Sequence, residues 1–168
     1  MADSKSDSII SEHFATKALD NPLWQYACEV YSKAGVETAL LHLQDKHRAD
    51  VNLILQALWL ASKSIEWTQG CIPKGYRKWV EEQVLPLRKM RRSMKTDWPQ
   101  HENFRQQVKK LELKAEQYAL AMLFVHCENK HSESKQSGGV ITAKENLSRL
   151  GQEIRLSPEH FELLITAL

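Results

Sequence analysis

Residues 51–61 read VNLILQALWLA, and the way this stretch folds decides the architecture of the whole chain. Nine of its eleven residues are apolar and no alternation runs through them, so the pattern suits a helix that is apolar on nearly every side better than a half-buried strand. Asp50, directly before it, is placed to cap its first turn. A helix of this kind is stable only where neighbours cover it all round. The fold class expected is therefore all-α: a single helical bundle of about five core helices around this buried central helix, with a C-terminal helical tail. The run is also well short of the ~20 residues that span a bilayer, so no membrane partner is expected.

Towards the N-terminus, Val36 to about Lys46 forms a helix with Ala39, Leu40 and Leu43 inward. Before it, Asn21 and Pro22 read as N-cap and first helical residue, Leu23, Tyr26, Ala27, Val30 and Tyr31 follow a 3.6-residue period, and Gly35 ends the helix. Residues 1–20 form a polar leader in which Ile9 to Leu19 can make a short helix. Towards the C-terminus, Ser62 to Gly75 has the Gly and Pro content of a loop. The next helix carries Trp79, Val80, Val84, Leu87 and Met94, and Pro86 is expected to kink or divide it. Beyond Trp98-Pro99, the residues Phe104, Val108, Leu111, Ala115, Tyr118, Met122 and Val125 recur in steps of four and three. That spacing predicts a long helix, widened by Leu120, Leu123 and Phe124 into a bundle-packing stripe, with a homodimer through its heptads as the alternative.

These elements place a bundle domain at 21–128. Residues 129–139 lack any large apolar side chain and read as a flexible linker, followed by the tail at 140–168. In the tail Thr142 and Glu145 make a capping box, Gly151 is expected to close that helix, and Ser157-Pro158 opens a last one bearing Phe161, Leu164, Ile165 and Leu168.

At 168 residues the chain is long enough to bury roughly 70% of its unfolded surface without staples. Its 42% hydrophobic and 26% charged content, with six Gly and five Pro, is that of a globular helical protein. Cys28, Cys71 and Cys127 are an odd number without close spacing, which suits reduced thiols, and Met1 to Ser8 shows no secretory pattern. A cytoplasmic location is the expectation. Net charge is only +2, yet Lys74 to Lys95 holds eight Lys and Arg against Glu81 and Glu82.

Several motifs in order carry a resemblance: Asn21-Pro22-Leu23-Trp24, Gly35-Val36, Leu43-Gln44-Asp45, Asp50-Val51-Asn52-Leu53, Leu58-Trp59-Leu60, Pro86-Leu87-Arg88 and Arg91-Arg92. Over about Asn21 to Val125 the chain resembles a family of small uncharacterised proteobacterial helical proteins. The resemblance implies a bacterial origin and a helical fold, and carries no activity with it. Members of that family commonly have Gly where Arg48 stands here, and an aromatic residue and Cys at Gln56 and Ala57.

Two polar groupings are candidates for function. Gln44, Asp45, His47, Asp50 and Asn52 crowd around the start of the central helix, where two carboxylates, an imidazole and two amides can hold a small ligand, a metal or a partner's backbone. Helix capping and backbone satisfaction are the structural alternative for them. The second grouping is the basic segment Arg88, Lys89, Arg91, Arg92 and Lys95, five cations in eight residues that can follow a phosphate backbone, with Trp98 beyond them. Glu128 and His131 have one Glu-x-x-His spacing, where helical di-metal sites use two, so no metal ligand and no cofactor is assigned. No nucleophile motif or phosphate-binding glycine loop is present, and no catalytic residue is assigned. The leading expectation is a non-enzymatic module for an unidentified protein partner. Binding of nucleic acid or the ribosome through Arg88 to Lys95 stands second, and small-ligand or metal binding through Asp45 to Asn52 third.

Overall fold

A computed structural model describes residues 19–131 and 139–168 of the chain. The leader helix and most of the stretch read as a linker lie outside the described residues. The protein is all-α. Its helices are α1 (Pro22–Ser32), α2 (Val36–His47), α3 (Val51–Ser62), α4 (Tyr76–Trp79), a π-helical turn (Val80–Val84), α5 (Leu85–Asp97), α6 (Glu102–His131), α7 (Ala143–Ile154) and α8 (Glu162–Ala167). Turns of 3-10 helix at Gln69–Cys71, Pro99–His101 and Pro158–Phe161 join them.

The central helix is α3, and every residue from Val51 to Ala61 is buried. It touches α1, α2, α6 and α7, so each of its sides has a neighbour. Its one central polar residue, Gln56, is fully buried and fully used: Nε2 donates to the Cys71 carbonyl at 3.0 Å and to the Cys127 sulfur at 3.2 Å, and Oε1 accepts from the Trp67 indole at 3.1 Å. An apolar helix can carry such a residue because none of its hydrogen-bonding groups is left orphaned.

The helix starts follow local chemistry. Asn21 accepts from the Trp24 amide at 2.9 Å with Pro22 at the first helical position, and Thr142 with Glu145 forms the expected capping box. Gly35 adopts φ +85 between α1 and α2. Arg48, ending α2, is also left-handed, at φ +55. That conformation brings Cβ against its own carbonyl and costs an L-residue roughly 1–2 kcal/mol. Arg48→Gly is therefore expected to raise stability by about 0.5–1 kcal/mol, after subtracting the freedom glycine gains in the unfolded chain. Urea unfolding checks this, and an unchanged midpoint would show that the turn is not strained.

Pro86 does not break its helix. The π turn at Val80–Val84 directly precedes it, so the widened backbone absorbs the missing amide and α5 runs on to Asp97. The long helix α6 is about 45 Å at 1.5 Å per residue. Its buried row is Val108, Glu112, Ala115, Ala119, Leu123 and Cys127, whereas Phe104 and Leu111 from the heptad reading are 55% and 58% exposed. The reason is tertiary: α5 lies along α6, and the main core takes its residues from the second half of α6, Ala119, Leu120, Leu123 and Cys127. This helix also continues through Asn129 to His131, three residues into the stretch read as linker.

The C-terminal helices belong to the same core. Leu147, Leu150, Phe161 and Leu164 are completely buried, with α7 along α3 and α8 against α2. Gly151 does not close α7, which ends at Ile154 with Arg155 left-handed at φ +60. Glycine is needed there because a Cβ would sit 2.4 Å from the Leu156 carbonyl oxygen and 3.2 Å from the Phe161 ring. Among the described residues no helix is long and apolar enough to cross a membrane.

Candidate functional site

Where α1, α2 and the start of α3 meet the π turn, α5 and α6, they leave a cavity of about 930 Å³. Trp24, Ala27, Val51, Leu55, Val80, Val84 and Leu120 give it apolar walls, and Asp50, Arg88 and Glu116 bring charge into them. Local folding puts each of these groups in place. Asp50 is the N-cap of α3, and Oδ1 accepts from the amides of Asn52 at 3.0 Å and Leu53 at 3.4 Å. Its other oxygen accepts from the Tyr76 hydroxyl at 2.9 Å, which reaches across from the first turn of α4.

Arg88 projects from α5 onto α6, where Glu112 and Glu116 lie one helical turn apart. Its Nε donates to Glu112 at 3.1 Å and its terminal nitrogen to Glu116 at 2.5 Å. Arg91, one turn further along α5, also donates to Glu112 through both Nε and a terminal nitrogen. The side chains of Arg88 and Glu112 are only 16% and 7% exposed, so this is a buried network.

The carboxyls respond differently to this burial. Burial pushes Asp50 up, against hydrogen bonds from Tyr76 and the Leu53 and Asn52 amides that favour its charged form. Burial likewise raises Glu116, and the charge of Arg88 offsets this only in part. In Glu112 the same burial is outweighed by the hydrogen bonds and charges of Arg91 and Arg88, so its carboxyl lies below the usual range. The Tyr31 hydroxyl, on the cavity wall, is raised to about 12 by burial and by Glu116 and Glu37.

Both sequence-derived groupings contribute to this cavity. From the first, Gln44, Asp50 and Asn52 line it; from the second, Arg88 and Arg92 do. Asp45 sits outside and pairs with Arg92 on the surface. His47 is not part of the cavity lining and packs edge-on against His42 and His160, with ring centres 5.7 and 4.4 Å distant. Of the basic segment, Arg88, Arg91 and Arg92 are bound to carboxylates of the chain, and Lys89 and Lys95 are exposed. Among the described residues no group of three or more His, Cys, Asp or Glu is arranged to hold a metal.

Sequence reasoning missed Tyr76, Glu112 and Glu116. Tyr76 follows a loop and has no periodic partner. Glu112 carried a signal: it stands in step with Val108, Ala115 and Ala119, a carboxylate on an apolar row, and Glu116 is four residues on.

Residues 22–123 match the family described as "Protein of unknown function (DUF2390)". Every residue lining the cavity falls inside that segment. The helices after it, α7 and α8, complete the core without lining the cavity. No curated protein and no solved structure matches the chain.

Proposed function

We propose that this chain, which belongs to the DUF2390 family of proteins of unknown function, binds a small amphipathic molecule in the cavity between α1, α2, the start of α3, α5 and α6. The observation that carries this reading is the cavity itself, at about 930 Å³ with apolar walls and an Asp50, Arg88 and Glu116 group. Small-molecule sites measure roughly 300–1,000 Å³ and combine apolar linings with a few convergent polar groups, and this cavity has both properties. Binding also gives the buried carboxyls a role that packing alone does not, since apolar side chains of similar volume would be cheaper to bury.

Cys28 supplies the test. It lines the cavity and is exposed, while Cys71 and Cys127 are buried. Burial and Asp20 raise its thiol, so labelling is done at mildly alkaline pH. Nile red, a neutral fluorophore, is expected to bind saturably at one per chain. A bulky maleimide attached at Cys28 should abolish that binding, and the same reagent should leave a Cys28→Ser chain unaffected. Non-saturable binding, or binding indifferent to the label, would refute the reading.

A second reading, docking of a protein partner, is favoured by one observation. Leu85, Met90, Trp98, Phe104, Leu111 and Leu113 are 45–58% exposed, and all lie on α5, α6 or the turn between them. Large exposed apolar side chains gathered on one pair of helices are a usual mark of an interaction surface. Photo-crosslinking residues placed at Phe104 and Leu111 in the native cell should give one discrete adduct. A smear no different from that of a residue placed at exposed Glu29 would remove this reading.

A further inference from the structure

The distribution of charge around the cavity indicates what chemical class its occupant has, an inference that rests on the ligand-binding reading above. On the inner side two carboxylates of the lining, Asp50 and Glu116, meet one guanidinium, Arg88, and behind them Glu112 pairs with Arg88 and Arg91. Arg91 is committed to Glu112, and Arg88 divides itself between Glu112 and Glu116. Asp50 is held by two amides and a phenol, which are neutral donors. With Asp50 and Glu116 ionised, the inner group carries one negative charge more than its cations balance, and a bound cation favours that ionised state.

The mouth does not correct the imbalance. Arg77 is bound to Glu153 and Arg92 to Asp45, and the other charged residues there are two cations, Arg48 and Lys109, and two anions, Glu37 and Glu81. The rim is neutral and the interior is not. Trp24 and Tyr31 add a second property, because both aromatic side chains are part of the wall and ring faces attract ammonium groups.

We infer that the cavity takes an organic cation, an ammonium group carried on an apolar body, with the ammonium beside Glu116 and Asp50. Such a group supplies the missing positive charge at a place partly sheltered from water, where the pairing is stronger than on an open surface. An anionic head at the same depth would face Asp50 and Glu116 and would have to draw Arg88 away from two carboxylates that it already holds.

Calorimetric titration with decylamine, decyltrimethylammonium and decanoate tests this, since the three share one tail and differ in the head. Both cations are expected to bind one-to-one and to displace Nile red, with decanoate at least tenfold weaker. Glu116→Gln keeps the side-chain shape and should weaken the cations by roughly 10- to 100-fold, the worth of a hydrogen bond to a charged group, while leaving decanoate no weaker than before. Asp50→Asn, which still caps α3, is the second variant should Glu116→Gln fail to fold. Decanoate binding as tightly as the amines, or failure of all three while Nile red still binds, would overturn the cation assignment and leave the ligand-binding reading standing. Failure of all three together with Nile red would remove both.

Discussion

Replacing Asn146 by alanine is expected to destabilise the protein by about 4 kcal/mol, although the residue lies in a C-terminal helix outside the family segment. Asn146 is completely buried where α7 lies along α3. Its Oδ1 accepts from the Trp67 amide at 2.9 Å, and its Nδ2 donates to the carbonyls of Ala57 at 3.1 Å and Ile65 at 2.9 Å. Alanine strands the Trp67 amide and the Ile65 carbonyl in a dry interior, at roughly 1–3 kcal/mol each. The side-chain volume left empty adds to this. Asn146→Asp separates the two causes: it keeps the volume and the acceptor for Trp67 but places oxygen against two carbonyls. If hydrogen bonding dominates, Asp costs at least as much as Ala. Urea unfolding should show a lower midpoint at unchanged slope for both variants. A loss below about 1 kcal/mol for Ala would mean that this side chain does not anchor the tail in the core.

Arg88→Ala is the second large effect, at about 3 kcal/mol, the lower end of what breaking a buried ion pair costs. Glu112 keeps Arg91, but Glu116 loses its one charged partner, and both carboxylates remain sheltered by α5 and α6. Burial already raises Glu116, and losing Arg88 raises it further, so protonation of its carboxyl limits the penalty. Arg92→Ala provides the contrast. Its pair with Asp45 is about half exposed on both sides, and such pairs are worth about 0–1 kcal/mol.

Acid sharpens the comparison. Glu112 has its folded-state carboxyl below the ordinary value, so its pairing contributes stability above the unfolded value of about 4.3 and loses it as pH falls through the folded one. The gap between wild type and Arg88→Ala should therefore narrow below about pH 4. A gap that is constant down to pH 3 would assign the loss to packing of the Arg88 stem and not to its charge.

The helices were legible because their causes are local. The caps at Asn21, Asp50 and Thr142 satisfy amides within three residues, and the apolar run of α3 states by itself that it must be surrounded. Asp50 and Asn52 were legible as part of a polar grouping for the same reason, since they stand at the head of that run. Phe104 and Leu111 were misread because periodicity reports that a face is apolar and does not say whether anything lies against it. Gly151 was misread because the pressure on it comes from Leu156 and Phe161, folded back from beyond the end of its helix.

By itself the sequence determined the helical class, the central position of Val51 to Ala61, most helix starts and the two polar groupings. All of these follow from hydrogen bonds and side-chain spacing within one or two turns. Only the tertiary structure decided that the three arginines of the basic segment are spent on Asp45, Glu112 and Glu116, and that the tail shares the core through Asn146. It also decided that Asp50 and Arg88 face one cavity. These pairs are separated by 21 to 89 residues of chain, and charge or burial at such separations is set by which helices pack together, a choice that no local pattern encodes.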